Sequence, residues 1–262
     1  MLEDYWIISV YIVSGIASGI FVGMGSGTTG AIMVTSLVVV LNHSIHDAIG
    51  TTLMIDATIG LVAGLIFLKK GNVKLKPIIL LIVFCAIGSF IGSRFTSRAP
   101  ESGLMFGIGL LLIAVGISFA AKGLQKNLDY VGDKLKVEKL KKYNIIIFLL
   151  FGSFIGFISG FTGMGIGGVL AIILILLLDY DLHTAIGTSL IMLFFISGAG
   201  ATGHILNNEF VFESIFFVGV SAVAGASLGS IYANRLNEDK LGRLIGVIIV
   251  ILGLTIFLKV FL

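Results

Sequence analysis

Between Tyr5 and Leu68 the chain carries only two formal charges, Asp47 and Asp56, and then Lys69, Lys70, Lys74 and Lys76 arrive together. Long apolar runs closed by basic clusters are the pattern of bilayer spans, because charge is costly in hydrocarbon and Lys and Arg gather at its cytoplasmic edge. Composition agrees: 57% of the 262 residues are hydrophobic and 12% charged, with a mean hydropathy of +1.13. A water-soluble domain needs about 25% charged residues to cover its surface. The expected class is an all-α membrane protein. Met1-Leu2-Glu3-Asp4 lacks a basic n-region, and the run after it leads to further runs rather than to a cleavage site, so it reads as a mature span.

Apolar segments fall at 5–22, 28–41, 48–68, 77–95, 103–121, 144–162, 168–178, 184–205, 211–232 and 241–261, which makes about ten helical segments. Most reach the roughly 20 residues that a hydrocarbon core demands. Segments 28–41 and 168–178 are shorter and each follows a glycine cluster, so they read as half-helices or hairpin arms with tips inside the membrane. Counting every segment as a crossing or hairpin arm places fourteen Lys and Arg on one side, from Lys69 to Lys76, Lys122 to Lys142 and Arg235 to Arg243. Only Arg94, Arg98 and Lys259 fall opposite. The positive-inside rule then puts the fourteen in the cytoplasm of a cell bounded by its plasma (inner) membrane, with both termini outside. The net charge of +3 reports this orientation and not a nucleic-acid partner, since no basic face is interleaved with aromatics. Cys85 stands alone, so neither an intrachain disulfide nor a Cys-based metal site is spelled out, and no cofactor is implied.

The chain also repeats itself. An offset of 137 residues lays His46-x-Ala48-Ile49-Gly50-Thr51 on His183-x-Ala185-Ile186-Gly187-Thr188, and carries Gly88, Gly92, Ser93, Arg98 and Glu101 onto Gly225, Gly229, Ser230, Arg235 and Glu238. An offset of 140 lays Gly23-Met24-Gly25-x-Gly27 on Gly163-Met164-Gly165-x-Gly167. The expected organisation is a first repeat over 1–121, a cytoplasmic linker of mixed charge and helical character over 122–142, and a second repeat over 143–262. Five segments per repeat is odd, so the second copy is expected to be inverted in the membrane, the arrangement typical of secondary transporters with a site near the midplane.

The glycine-rich break, the short apolar helix and then Ala48-Ile49-Gly50-Thr51-Thr52-Leu53, echoed by Ala185-Ile186-Gly187-Thr188-Ser189-Leu190, resemble the TauE/SafE family of anion transporters, also called the toluene sulfonate uptake permease family. The resemblance covers nearly the whole chain. It implies sulfite, sulfonates or related organosulfur anions as the substrate class and a proton- or ion-coupled mechanism. Family members commonly carry a proline in the short helix. Here Val34-Thr35-Ser36 and Ile172-Ile173-Leu174 occupy that region, so straighter short helices are expected.

The residues themselves indicate where an anion would sit. Gly25, Ser26, Gly27, Thr28 and Thr29 in the first break, and Gly165, Gly167 and Gly168 in the second, can offer free backbone N–H groups at the start of a helix; tight helix packing is the bland alternative. Thr51, Thr52, Thr188 and Ser189 follow one turn into segments 3 and 8 and can donate neutral hydrogen bonds, or simply bond their own helix. Asp56 lies about twelve ångströms along segment 3, hence near the membrane centre. A charge there must be protonated or partnered, which makes Asp56 a candidate carrier of protons or a coupling ion. Its repeat equivalent is Leu193. His46 and His183 start segments at opposite surfaces and are either plain interfacial residues or relay groups. His43 and His204 read as single interfacial histidines, and no His, Asp and Glu spacing resembles a metal site. Four Gly-x-x-x-Gly pairs, at Gly88, Gly103, Gly225 and Gly242, suit helix packing.

The expected partners are a small anion, protons or a coupling ion, and membrane lipid; association into a homo-oligomer stays open. The alternatives are a passive anion channel and a non-transport membrane scaffold. An intramembrane enzyme is disfavoured, for the chain has neither a paired nucleophile and base nor an HExxH-like ligand set.

Overall fold

The structure is a computed structural model that describes residues 2–22, 29–135, 148–233 and 238–261. These fold into α1 (Leu2–Phe21), α2 (Gly30–Thr35), α3 (Ile45–Lys69), α4 (Ile79–Thr96), α5 (Glu101–Leu135), α6 (Ser153–Thr162), α7 (Gly167–Leu178), α8 (Leu182–Ile205), α9 (Phe212–Ala233) and α10 (Glu238–Lys259), with no strand among the described residues. The fold is an all-α membrane protein. Four segments, Ile45–Lys69, Lys76–Thr96, Glu101–Ser118 and His183–Ile205, are each long and apolar enough to cross a bilayer. Large apolar side chains such as Phe95, Phe154, Phe216 and Val220 point outward, as lipid-facing residues must.

Local chemistry sets the helix ends. Ser44 caps α3 by accepting from the Asp47 amide, and Asp181 caps α8 by accepting from the Thr184 amide. α6 stops at Gly163, whose φ of 69° is left-handed backbone that glycine adopts without strain. Both short helices start at glycines, but only α7 is regular. α2 passes at Ser36 into a π-helical turn over Ser36–Val40. Thr35 Oγ1 donates to the Ala31 carbonyl at 2.6 Å, and such back-bonding competes with the helical ladder and loosens it. The first part of the expected linker is helix, since α5 runs through Leu135; residues 136–147 lie outside the described ones.

Every major pairing takes one helix from each half: α3 crosses α8, α5 lies along α10, α1 along α9 and α4 along α6. The contacts recur with the halves exchanged. A Cβ at Gly88 would strike the Ser153 carbonyl, and one at Gly225 the Ile16 carbonyl, which is the same contact moved by the repeat offset. Likewise Gly156 seats on Cys85 and Gly19 on Ala222. The Val211 amide donates to Thr51 Oγ1 at 2.8 Å, and the Lys74 amide to Thr188 Oγ1 at 3.1 Å. Among the Gly-x-x-x-Gly pairs, Gly103–Gly107 departs from expectation: Gly107 has nothing within 4 Å and Gly103 meets only Pro100.

Connectors sort to two ends. At one, Lys259 Nζ donates to Asn42 Oδ1 and Arg94 Nη1 to Asn207 Oδ1, both at 2.7 Å. At the other, the Tyr180 hydroxyl donates to the Lys74 carbonyl at 3.2 Å, and Lys74 Nζ stands 5.5 Å from the Tyr180 ring centre.

Candidate functional site

The two chain breaks meet on one carboxyl group. Asp56, on α3, is fully buried. From the first break the Thr29 amide donates to its Oδ1 at 3.2 Å and the Thr29 hydroxyl at 2.7 Å. From the second break the Gly165 backbone faces the same carboxyl, so closely that a Cβ at Gly165 would overlap Oδ2 and stand 2.8 Å from Cγ. Oδ2 itself has no hydrogen bond of full geometry. A Cβ at Gly30 would lie 2.8 Å from both the Gly163 carbonyl oxygen and Met164 Cα, so the breaks also touch directly. Leu193, the repeat equivalent of Asp56, comes to the same place, with Cδ1 3.2 Å from that position at Gly165. Thr29 and Gly165, two of the residues expected to cradle an anion, are therefore turned toward a carboxyl group of the protein itself.

Several expected site residues lie close by. Gly167 and Gly168 open α7, where the Leu170 amide makes a first helical bond to Ile166 at 2.8 Å. Gly25, Ser26, Gly27 and Thr28 lie outside the described residues.

The hydroxyl residues of the repeated box are buried and bonded to backbone. Thr52 donates to the Ala48 carbonyl at 2.7 Å and Ser189 to the Ile186 carbonyl at 2.9 Å, while Thr51 and Thr188 accept the loop amides named above. Thr51 and Thr188 thus tie the ends of their own helices to connectors at opposite ends of the molecule.

The histidines separate. His46 Nε2 lies 3.1 Å from both the Thr96 and Ala99 carbonyl oxygens, and Nδ1 is 3.7 Å from Glu101; His183 is exposed. Neither reaches Asp56 in this conformation. His204, in the last turn of α8, is fully buried within the protein, with Nδ1 2.7 Å from Glu209 Oε2, so it is not the single, unpartnered histidine the sequence suggested. Glu209 also accepts from the Ser97 hydroxyl at 2.7 Å. The missed signal was spacing, because Leu193, Ser197, Gly200 and His204 fall on one face of α8 and lead from Asp56's counterpart to the helix end. A cleft of about 320 Å³ at that end, lined by Asn42, His43, Ser44, Glu101, Met105 and Lys259 among others, shares no residue with the Asp56 site. Among the described residues no group of His, Cys, Asp and Glu could hold a metal ion.

Comparison with known proteins fits this arrangement. The family profile described as "Sulfite exporter TauE/SafE" matches residues 10–256. The chain is 27% identical over 240 residues to the probable membrane transporter protein YdhB of Bacillus subtilis (strain 168), covering 88% of this chain and 91% of that one. It is 22% identical over 247 residues to the probable membrane transporter protein YunE of the same organism, covering 90% of each. A probable membrane transporter protein of Haemophilus influenzae (strain ATCC 51907 / DSM 11121 / KW20 / Rd) is 25% identical over 183 residues, 70% of this chain and 69% of that one. No solved structure matches. With a family match over nearly its whole length and apolar helices to span a bilayer, this multi-pass membrane protein belongs to the TauE/SafE sulfite exporter family.

Proposed function

We propose that the protein is a secondary transporter of small oxyanions, sulfite, sulfonates or related organosulfur anions, working by alternating access with a proton carried on Asp56. The observation that carries this reading is the convergence of both breaks on that one carboxyl. Thr29 and the Gly165 backbone form a set of donors that suits either a carboxylate or a sulfur-bound oxygen. Both anions cannot hold it at once. When Asp56 takes up a proton it loses its charge and weakens as an acceptor, which frees the donors for substrate; when substrate leaves, the carboxylate returns. Proton and anion are thereby linked through competition for the same hydrogen bonds.

Exchange of equivalent contacts between the halves supports the rest of the mechanism. The reading takes 1–121 and 143–262 as inverted repeats, which can swap conformations about a two-fold axis at little net energy. Its orientation follows the basic residues: the end carrying Lys69, Lys70, Lys74 and Lys76 faces the cytoplasm, and both termini lie outside the plasma membrane. The backbone hydrogen bonds of Thr51 and Thr188 are assigned to holding connectors, and His46 to anchoring the start of α3 on the α4–α5 connector. Neither a cofactor nor a metal enters the cycle.

Sulfite flux into vesicles containing the purified protein tests the proposal. Wild type should show saturable uptake and accumulate sulfite against its gradient when a pH gradient is imposed. Asp56→Asn should keep downhill flux and lose accumulation. Absence of saturable uptake of sulfite or a small sulfonate removes the substrate class, and unaltered accumulation in Asp56→Asn removes the coupling role.

A further inference from the structure

A buried hydroxyl, imidazole or carboxyl oxygen left without a hydrogen bond costs about 1–3 kcal/mol, so a row of them calls for a reason. Apart from Ser18 Oγ on α1, such atoms among the described residues are Ser89 Oγ, Ser159 Oγ and Ser197 Oγ, with Asp56 Oδ2 and His204 Nε2 met only by the Gly165 and Gly160 backbone; all five side chains are fully buried. They come from α3, α4, α6 and α8, which pack against one another. Neighbouring contacts gather Ser89, Ser159 and His204, while Ser197 lies one turn of α8 beyond Leu193, which shares the Gly165 backbone with Asp56. A Cβ at Gly200 would stand 2.5 Å from Ser89 Oγ and 3.5 Å from Gly160 Cα, next in sequence to Ser159. The Gly160 backbone in turn touches the His204 ring. On α3, one and a half turns before Asp56, a Cβ at Gly50 would stand 2.7 Å from His204 Cβ. At the repeat offset the corresponding positions are Leu193, Ala226, Val22, Gly60 and Phe67. None of those side chains can hold or pass a proton.

Resting on the coupling reading above, we infer that in this conformation Asp56 exchanges its proton with one end of the molecule, the end of the 206–211 connector, through a seam of Ser197, Ser89 and Ser159 that opens at the His204–Glu209 pair. A serine hydroxyl both accepts and donates, so it can relay a proton directly or through a water it holds. Glu209 orients the imidazole through Nδ1 and leaves Nε2 on the side of the Gly160 backbone, next in sequence to Ser159. The other groups around His204 are His46 from α3, itself 3.7 Å from Glu101, and Ser97 from α4, bonded to Glu209; Arg94 on α4 is bonded to Asn207. No proton is created or lost: His204 passes one inward from Nε2 and regains one from the aqueous end at Nδ1, with Glu209 as its partner there.

Infrared spectroscopy of the full-length protein in lipid vesicles tests this without any substrate. The carboxylic-acid C=O band of Asp56 is identified by its disappearance in Asp56→Asn, and its shift on transfer to D2O reports proton exchange. His204→Gln should slow that exchange about a hundred-fold, the low end of what a positioned proton-transfer group supplies. Ser197→Ala, which removes one hydroxyl and little volume, should slow it in the same direction, while Ala226→Ser on the mirror path should leave it unchanged. Exchange at the wild-type rate in both His204→Gln and Ser197→Ala overturns the seam and leaves the coupling role of Asp56 standing. If no band sensitive to Asp56→Asn appears across the pH range, Asp56 carries no proton, and the coupling role and the seam fall together.

Discussion

At the level of single residues, the Asp56 carboxyl ties together chain breaks that are more than a hundred residues apart. Removing the Thr29 hydroxyl by Thr29→Val deletes the 2.7 Å bond to Oδ1 and should lower stability by about 1–3 kcal/mol, read as a fall in the thermal midpoint of purified protein. In an Asp56→Asn background the same change should cost less, and the double-mutant cycle would report the coupling directly. Equal losses in both backgrounds would show that Thr29 and Asp56 act independently. Asp56 was legible in the sequence because a lone acid in a long apolar run is conspicuous. The identity of its partners was not, since glycines before a short helix look the same whether their amides await a substrate or an internal side chain. His204 was illegible for a related reason: its partner Glu209 lies past the helix end, where sequence shows only a turn, and burial is decided by α4 and α6 from elsewhere in the chain.

Among the helices, glycine controls how closely pairs approach. A Cβ at Gly160 would run into the Ser89 carbonyl of α4, a backbone atom that no rotamer change can move aside, so Gly160→Ala should destabilise by about 1–3 kcal/mol or more. Gly107→Ala meets open space and should stabilise α5 by about 0.5–1 kcal/mol. Denaturation midpoints of the two variants should therefore move in opposite directions, and a common shift would refute the packing account. Helical spacing in the sequence marked Gly107 for packing and passed over Gly160; only the neighbour across the interface separates them. The start of α8 supplies a pH-dependent contact. Hydrogen bonds from the Thr184 backbone and side chain hold the Asp181 carboxyl below its ordinary value of 3.8. A depressed value means the cap's contribution is complete above 3.8 and fades as pH falls through the lowered value. Asp181→Asn should keep a cap and lose that acid-side dependence, measurable as a flatter midpoint-versus-pH curve.

For the molecule as a whole, contacts such as Gly88 with Ser153 and Gly225 with Ile16 recur at the repeat offset, and the expected ten helical segments correspond to ten α-helices among the described residues. The sequence did not foretell that α1, α3, α4 and α5 would each find their main partner in the other half, because an internal repeat is silent on how its copies embrace. The two ends can be assigned by chemistry. Cys85, the single cysteine, is buried, so wild type should resist a membrane-impermeant thiol reagent. Asn207→Cys should react from outside intact cells and Asn72→Cys only after the membrane is opened. The reverse pattern would invert the assigned orientation.

The paired contacts of Gly88 with Ser153 and of Gly225 with Ile16 reach beyond packing. Neither half owns a finished interior, so a chain cut in the 122–142 stretch should yield two fragments that are each unfolded and degraded when made alone, yet complement one another when made together.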